Sequence, residues 1–230
     1  MDFSWVSEFW PILLGGLWRT LLLLVLGALF GFALAIPVAV ARVSRNPILY
    51  YLSGTFTTVI RGTPLLVQIY ILYYGVGSLL AATPEVRTSI FWPYLRDGFW
   101  YVVVSLAISV AAYEGELLRG GLLSVAKGQL EAARAFGMSS GLMFRRIWLP
   151  SALRMLLPTL VGDTVLLLKS TALASTVAVV DLVGAANQVR THTFLVYEPL
   201  LTVALVYLVI TAMITSIAGL ISQRVPQKAV

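Results

Sequence analysis

Three acidic side chains fall where hydrocarbon is expected. Asp163 lies inside the apolar stretch 151–170 and Glu114 and Glu116 inside 99–118, and an ionisable group there is expensive unless it faces protein or water. On a helix, the same-face neighbours of Asp163 at i+4 and i+7 are Leu167 and Ser170. Lys169 sits about 120° round the axis at 100° per residue, so it is not expected to be the local partner of Asp163. Two uses of Asp163 remain open: receiving the ammonium or guanidinium of a cationic substrate, or pairing with an Arg or Lys from a neighbouring helix or a second subunit. Glu114 and Glu116 are two residues apart and cannot share a helix face, so they should have different partners; Glu116 has Arg119 or Gly120 within local reach. Ser170 and Thr171 open a polar run, 170–176, and with Asp163 and Glu114 make up the candidate path for a polar solute.

Other chemistry is excluded. The chain has no cysteine and one histidine, His192, so thiolate sites and histidine-based metal clusters have no ligands here. No G-x-x-x-x-G-K-[ST] phosphate loop occurs, so this chain is not expected to be an enzyme or to hold ATP. No cofactor, metal or catalytic residue is expected.

The elements that must position these side chains follow from composition. Hydrophobic residues make up 59% and charged residues 11% of the 230, and the mean hydropathy is +0.91, where soluble domains carry about 25% charged residues. A membrane-spanning helix needs roughly 20 apolar residues, which predicts an all-α integral membrane protein of about five spans. They are placed at 12–41, 58–80, 99–118, 151–170 and 199–221, in one transmembrane domain over 1–230. No Lys or Arg precedes Arg19, and the first apolar run far exceeds the roughly 7–15-residue core of a secretory signal, so it is expected to stay as a membrane helix. Gly27 and Gly31 make a small-xxx-small step suited to close helix packing. Gly62 and Pro64 predict a kink or local unwinding in the second span. The run 170–176 predicts a break followed by a short helix at the outer face, and 181–198 reads as an outer loop. The aromatics beside 83–97 suit a membrane interface.

The net charge of +6 is scattered along span borders, which favours a positive-inside membrane protein over a nucleic-acid partner. If the Arg42/Arg45 side is inner, it collects eleven basic residues: Arg42, Arg45, Arg61, Arg119, Lys127, Arg134, Arg145, Arg146, Arg154, Arg224 and Lys228. The outer side holds three, Arg87, Arg96 and Arg190. The N-terminus is therefore expected outside, the C-terminus inside, and the segment 128–150 in the cytoplasm.

That segment, GQLEAARAFGMSSGLMFRRIWLP, is too charged for lipid and too patterned for slack loop. Lys127, Glu131 and Arg134 are spaced to support one helix face. Gly137 is a natural helix stop, and Ser139 or Ser140 a natural cap for a second helix ending at Pro150. A helix-turn-helix of this kind offers a compact knob for a partner protein.

The spacing Glu131-Ala132-Ala133, Gly137, Ile147, Leu149-Pro150 resembles the EAA loop of importer-type ABC permeases. Arg61-Gly-Thr-Pro-Leu-Leu-Val-Gln68, the stretch from Ala112 to Gly121 and Lys169-Ser-Thr-Ala-Leu-Ala-Ser175 resemble the polar amino-acid subfamily, nearest to permeases for histidine, basic amino acids and opines. The resemblance implies a type I ABC importer fold and alternating access across the bacterial inner membrane. It implies that Glu131, Ala132, Ala133, Arg134 and Gly137 dock an ATP-binding subunit, present in two copies, which carries the ATPase. The other implied partners are a homologous permease in a heterodimer, a periplasmic solute-binding protein, membrane lipid and the amino-acid substrate. Relatives commonly carry Glu at the position of Asp163 and a neutral residue at that of Glu114. A secondary, ion-coupled amino-acid transporter and a membrane scaffold are the competing classes; the insert disfavours the first and the broken fourth span the second.

Overall fold

Helix α1 (Trp5–Val43) is followed by α2 (Pro47–Gly62), α3 (Leu65–Ala82), α4 (Gly98–Ser124), α5 (Lys127–Ala135), α6 (Ser140–Val177), α7 (Leu182–Thr193) and α8 (Tyr197–Gln223). These come from a computed structural model that describes residues 5–223, so Arg224 and Lys228 lie outside the described residues. Among the described residues five helices, α1, α3, α4, α6 and α8, are long and apolar enough to cross a membrane.

Helix α4 is the axis. Its most apolar stretch is 61% buried, against 28% for α1 and 6% for α3 and for α8, so α3 and α8 present most of their apolar surface outward. Val102, Val103, Leu106, Leu118 and Leu122 of α4 are buried. Helix α1 packs closely along α4 because its contact residues lack side chains: a Cβ on Gly27 would stand 3.1 Å from Leu106 Cβ, and one on Gly31 would overlap Val110. Small residues of this kind let membrane helices gain dispersion contact without a hydrophobic drive between them.

At the basic end α1, α2 and α4 meet on one carboxylate. Arg42 Nε lies 2.5 Å from Glu116 Oε1 and Arg119 Nε 2.6 Å from Glu116 Oε2, while the Thr57 hydroxyl donates to Oε1 at 3.0 Å. Glu116 thus has the local Arg119 as expected, and also a partner from each of two other helices.

Three expectations are corrected. The second span does not run from 58: α2 ends at Gly62, Thr63 and Pro64 are extended, and α3 starts at Leu65. Pro64 has no N–H for the Ile60 carbonyl, and the Gln68 side-chain amide supplies it instead, donating to Ile60 O at 2.8 Å and to Thr63 O at 3.1 Å. Pro150 does not end a helix. The turn Phe144–Trp148 is a π-helix that leads into Leu149–Ser170, and such a widened turn absorbs the missing proline donor. The segment expected to be an outer loop over 181–198 is largely α7, whose Leu182, Ala185, Ala186 and Val189 are buried against the N-terminal part of α1. The break expected at 170–176 takes the form of a tightened 3₁₀ turn, Thr171–Val177, stopped by Ala178 in the left-handed region at φ 60°.

Candidate functional site

Helices α3, α4 and α6 border a cavity of about 550 Å³ whose lining includes Leu65, Ser109, Tyr113, Glu114, Asp163, Lys169 and Ser170. That volume lies within the roughly 300–1,000 Å³ of small-molecule sites. Glu114 reaches it from the buried side of α4 and is only 6% exposed. Asp163 reaches it from α6, and the two carboxyls come into direct interaction. Glu114 Oε2 is buried without a hydrogen-bond partner, and among the described residues neither acid belongs to an ion pair.

The sequence-derived path set is only partly assembled here. Glu114, Asp163 and Ser170 line the cavity, but Thr171 does not. The 3₁₀ turn rotates Thr171 inward, where it is fully buried and its hydroxyl donates to Leu168 O at 2.7 Å. Lys169 makes no ion pair with Asp163, in keeping with their angular separation, yet it lines the same cavity because the cavity is wide enough to meet both sides of α6.

Tyr113 also borders a second cavity of about 410 Å³, toward the basic end, together with Arg42, Arg61, Gly62 and Glu116. The Arg61 guanidinium lies 5.3 Å from the centre of the Tyr113 ring, and the Tyr113 hydroxyl donates to Arg61 O at 3.4 Å. The acidic and the basic cavity therefore share Tyr113 as a wall, beside the Thr63-Pro64 break. Gln68 and Tyr113 were not among the sequence candidates. Gln68 had a readable signal: a proline orphans the carbonyl four residues before it, and an amide nearby can replace the donor.

Toward the other end, α1, α6, α7 and α8 meet around buried polar groups. The Leu182 N–H donates to Thr20 Oγ1 at 3.0 Å and the Gly184 N–H to Asp181 Oδ1 at 2.9 Å. The Tyr207 hydroxyl approaches Thr20, Thr171 and Asp181 without completing a hydrogen bond. Burial pushes the Asp181 carboxyl up to about 6, against the capping N–H groups that hold it down.

The insert folds as two helical pieces. The Met138 N–H donates to Ala133 O at 3.1 Å and the Gly137 N–H to Arg134 O at 2.9 Å, with Gly137 at φ 74°. This double bond pattern closes a helix with a left-handed residue, which glycine adopts without steric cost. Ser139 caps the next turn, accepting from the Leu142 N–H at 3.4 Å, and the Trp148 indole donates to Leu122 O at 2.7 Å, tying the insert to α4. Glu131, Ala132, Arg134 and Gly137 are exposed, and Phe136 is 86% exposed. Ala133 is 2% exposed, on a helix that packs against the first turns of α6, so it offers little surface to a partner. Glu131 is in no ion pair among the described residues, so the charge support expected from Lys127 and Arg134 is not used.

Residues 27–227 match the family described as binding-protein-dependent transport system inner membrane component. The chain belongs to that family. The permease is 39% identical over 220 residues to the nopaline transport system permease protein NocM of Agrobacterium fabrum, covering 96% of this chain and 90% of that one. It is 36% identical over 219 residues to the histidine/lysine/arginine/ornithine transport system permease protein HisM of Escherichia coli, covering 92% and 91%. The crystal structure of an amino acid ABC transporter with histidines superposes with a TM-score of 0.82 at 29% identity, over 97% of this chain and 99% of that one. The MetNI methionine ABC transporter, at 20% identity and a TM-score of 0.78, shares the fold. The permease is thus a multi-pass inner-membrane subunit of an ABC importer, with ATP-binding and binding-protein partners implied by its family. An ion-coupled carrier is the less supported class. Permease subunits of this family are not themselves enzymes.

Proposed function

We propose that the permease carries basic amino acids or opines inward by alternating access, and that the Glu114/Asp163 cavity is part of the path. The observation that carries this reading is the pair of carboxyls, in no ion pair among the described residues, lining a cavity between membrane helices. Relatives named for nopaline, arginine and histidine transport support the substrate class. The N-terminus faces the periplasm and the C-terminus the cytoplasm, following the excess of basic residues on one side. A homologous permease completes a heterodimer, two copies of an ATP-binding subunit dock on the insert and carry the ATPase, and a periplasmic solute-binding protein delivers substrate. No cofactor is held by this chain.

In this reading α5 transmits the movement of the ATP-binding subunits, and the Thr63-Pro64 break lets α2 and α3 turn relative to each other. Interfaces with two discrete packings are what such switching requires. The test is uptake of labelled arginine, histidine, nopaline and octopine in cells expressing every subunit. Asp163→Asn is expected to lower uptake of cationic substrates about tenfold, the loss of one charge-assisted hydrogen bond. Unchanged affinity and rate would remove Asp163 from the path. Uptake that survives ATP depletion and stops with an uncoupler would point to an ion-coupled carrier.

A further inference from the structure

The segment between α3 and α4 leaves one cation without a partner. Arg87 Nε donates to Ala81 O, and the Asp97 carboxylate caps α4, accepting from the Phe99 N–H at 3.0 Å. The Arg96 side chain is exposed and makes no ion pair or hydrogen bond among the described residues. It borders a hollow of about 260 Å³ together with Tyr73, Tyr74, Ser78 and Tyr101. Gly77 keeps this hollow open, since a Cβ there would stand 3.3 Å from Tyr101 Cζ.

A second hollow of about 190 Å³ adjoins the first through Leu95 and Tyr101, which line both. Its other walls are Leu72 and Val76 of α3, Trp100 and Val104 of α4, and Tyr94, so it is aliphatic and aromatic throughout. The Tyr101 hydroxyl is taken up by Leu95 O, to which it donates at 2.6 Å. Val104 lies about 9 Å along α4 from its first residue, Gly98, at a rise of about 1.5 Å per residue. The groove therefore leads from the helix end into the depth of the hydrocarbon. Val76, Tyr94, Trp100 and Val104 remain between 37% and 58% exposed, so the described chain does not cover it.

We propose that these joined hollows bind one phospholipid, with its phosphate against Arg96 and an acyl chain in the groove between α3 and α4. The occupant follows from charge and polarity together. A guanidinium takes a phosphate through paired, charge-assisted hydrogen bonds, and the groove beside it offers only apolar surface. Among the described residues no acidic side chain lines either hollow, so a cationic solute finds no counter-charge there, and a free phosphate gains nothing from the groove. Tyr94 and Trp100 flank the site as such rings do at headgroup level. The lipid lies against the π-helical turn Ile71–Val76, to which Leu72 and Val76 belong. It thereby ties to α4 a helix whose apolar stretch is only 6% buried by protein.

The test is photolabelling of the complete transporter in lipid nanodiscs, with phosphatidylglycerol carrying a diazirine in one acyl chain. Diacylglycerol with the same chains lacks the phosphate and is the comparison, and the label is mapped by peptide mass spectrometry. Label on Leu72, Val76, Trp100 and Val104, relative to the rest of the chain, is expected to be about tenfold higher with phosphatidylglycerol. Arg96→Gln is expected to remove that preference. Arg96 has no partner to lose, so this variant should assemble like wild type. Glycerol phosphate, which has no chains, is expected to leave the label in place; displacement by it would mark a soluble-anion site and overturn the proposal. Equal groove labelling by the two lipid probes, or a preference that survives Arg96→Gln, also overturns it, since lipid then meets the groove only as bulk solvent. A groove that neither probe labels in the complete transporter overturns it in favour of a protein contact, that of the second permease.

Discussion

Replacing Glu116 by Gln should destabilise the permease more than any surface charge change. The carboxylate accepts from Arg42 at 2.5 Å, from Arg119 at 2.6 Å and from Thr57 at 3.0 Å. The side chains of Glu116 and Arg42 are 11% and 14% exposed and that of Arg119 33%. Removing one partner of a buried pair costs about 3–5 kcal/mol, because the other charge is left without compensation, while a solvent-reached pair is worth about 0–1 kcal/mol. Arg42 belongs near the first case and Arg119 near the second. Arg42 keeps some support in the mutant, since it lies 4.6 Å from the Tyr50 ring centre and 3.4 Å from Tyr50 O. The net cost is then about 3 kcal/mol. At about 2–4 °C per kcal/mol for a chain of this size, the midpoint of thermal unfolding should fall by about 6–12 °C. Thermal denaturation of the detergent-purified transporter, followed by size exclusion, reads this shift. Adding Arg42→Met to Glu116→Gln should restore a substantial part of it, because no buried guanidinium is then left unpaired. A midpoint that stays within about 2 °C of wild type in Glu116→Gln would refute the view that this carboxylate clamps α1, α2 and α4.

Two further outcomes follow from local geometry. Gly137→Asp meets no atom within 4 Å of its new Cβ but must hold φ 74°, a strain of roughly 1–2 kcal/mol. Membrane abundance should therefore change little while uptake drops about tenfold through the docking surface, and unchanged uptake would sink the docking role. For Asp181, whose buried carboxyl is pushed up to about 6 from 3.8, the folded state binds the proton more tightly than the unfolded chain. Its contribution is fully present below about pH 4 and is lost as pH rises through about 6. Asp181→Asn, which keeps a good helix cap, should flatten the pH dependence of unfolding in that window, and an unaltered profile would count against a buried, protonatable Asp181.

The spans, the insert and the breaks are legible in the sequence because their causes are local. Some twenty apolar residues in a row, a proline, a capping serine and a glycine stop act on their own few neighbours wherever the helix sits. Thus Gly137, Ser139 and the Thr63-Pro64 break stand where the sequence put them, and Gly27 and Gly31 pack as small residues should. Pro150 and α7 misled a local reading, because a π-turn and burial against α1 outweigh a proline and a polar composition.

What only the tertiary structure decided is which faces meet. Glu114 and Asp163 come from separate helices, and nothing in either stretch says that they share a cavity. The seating of α4 between α3 and α6 brings them together. The same packing, with the 3₁₀ turn after Ser170, sends Thr171 into the buried polar cluster and leaves Lys169 at the cavity. A sequence sets a side chain's height on its helix through a fixed rise and angle per residue. The rotation of that helix about its axis is set by its neighbours, through close packing that no single segment contains.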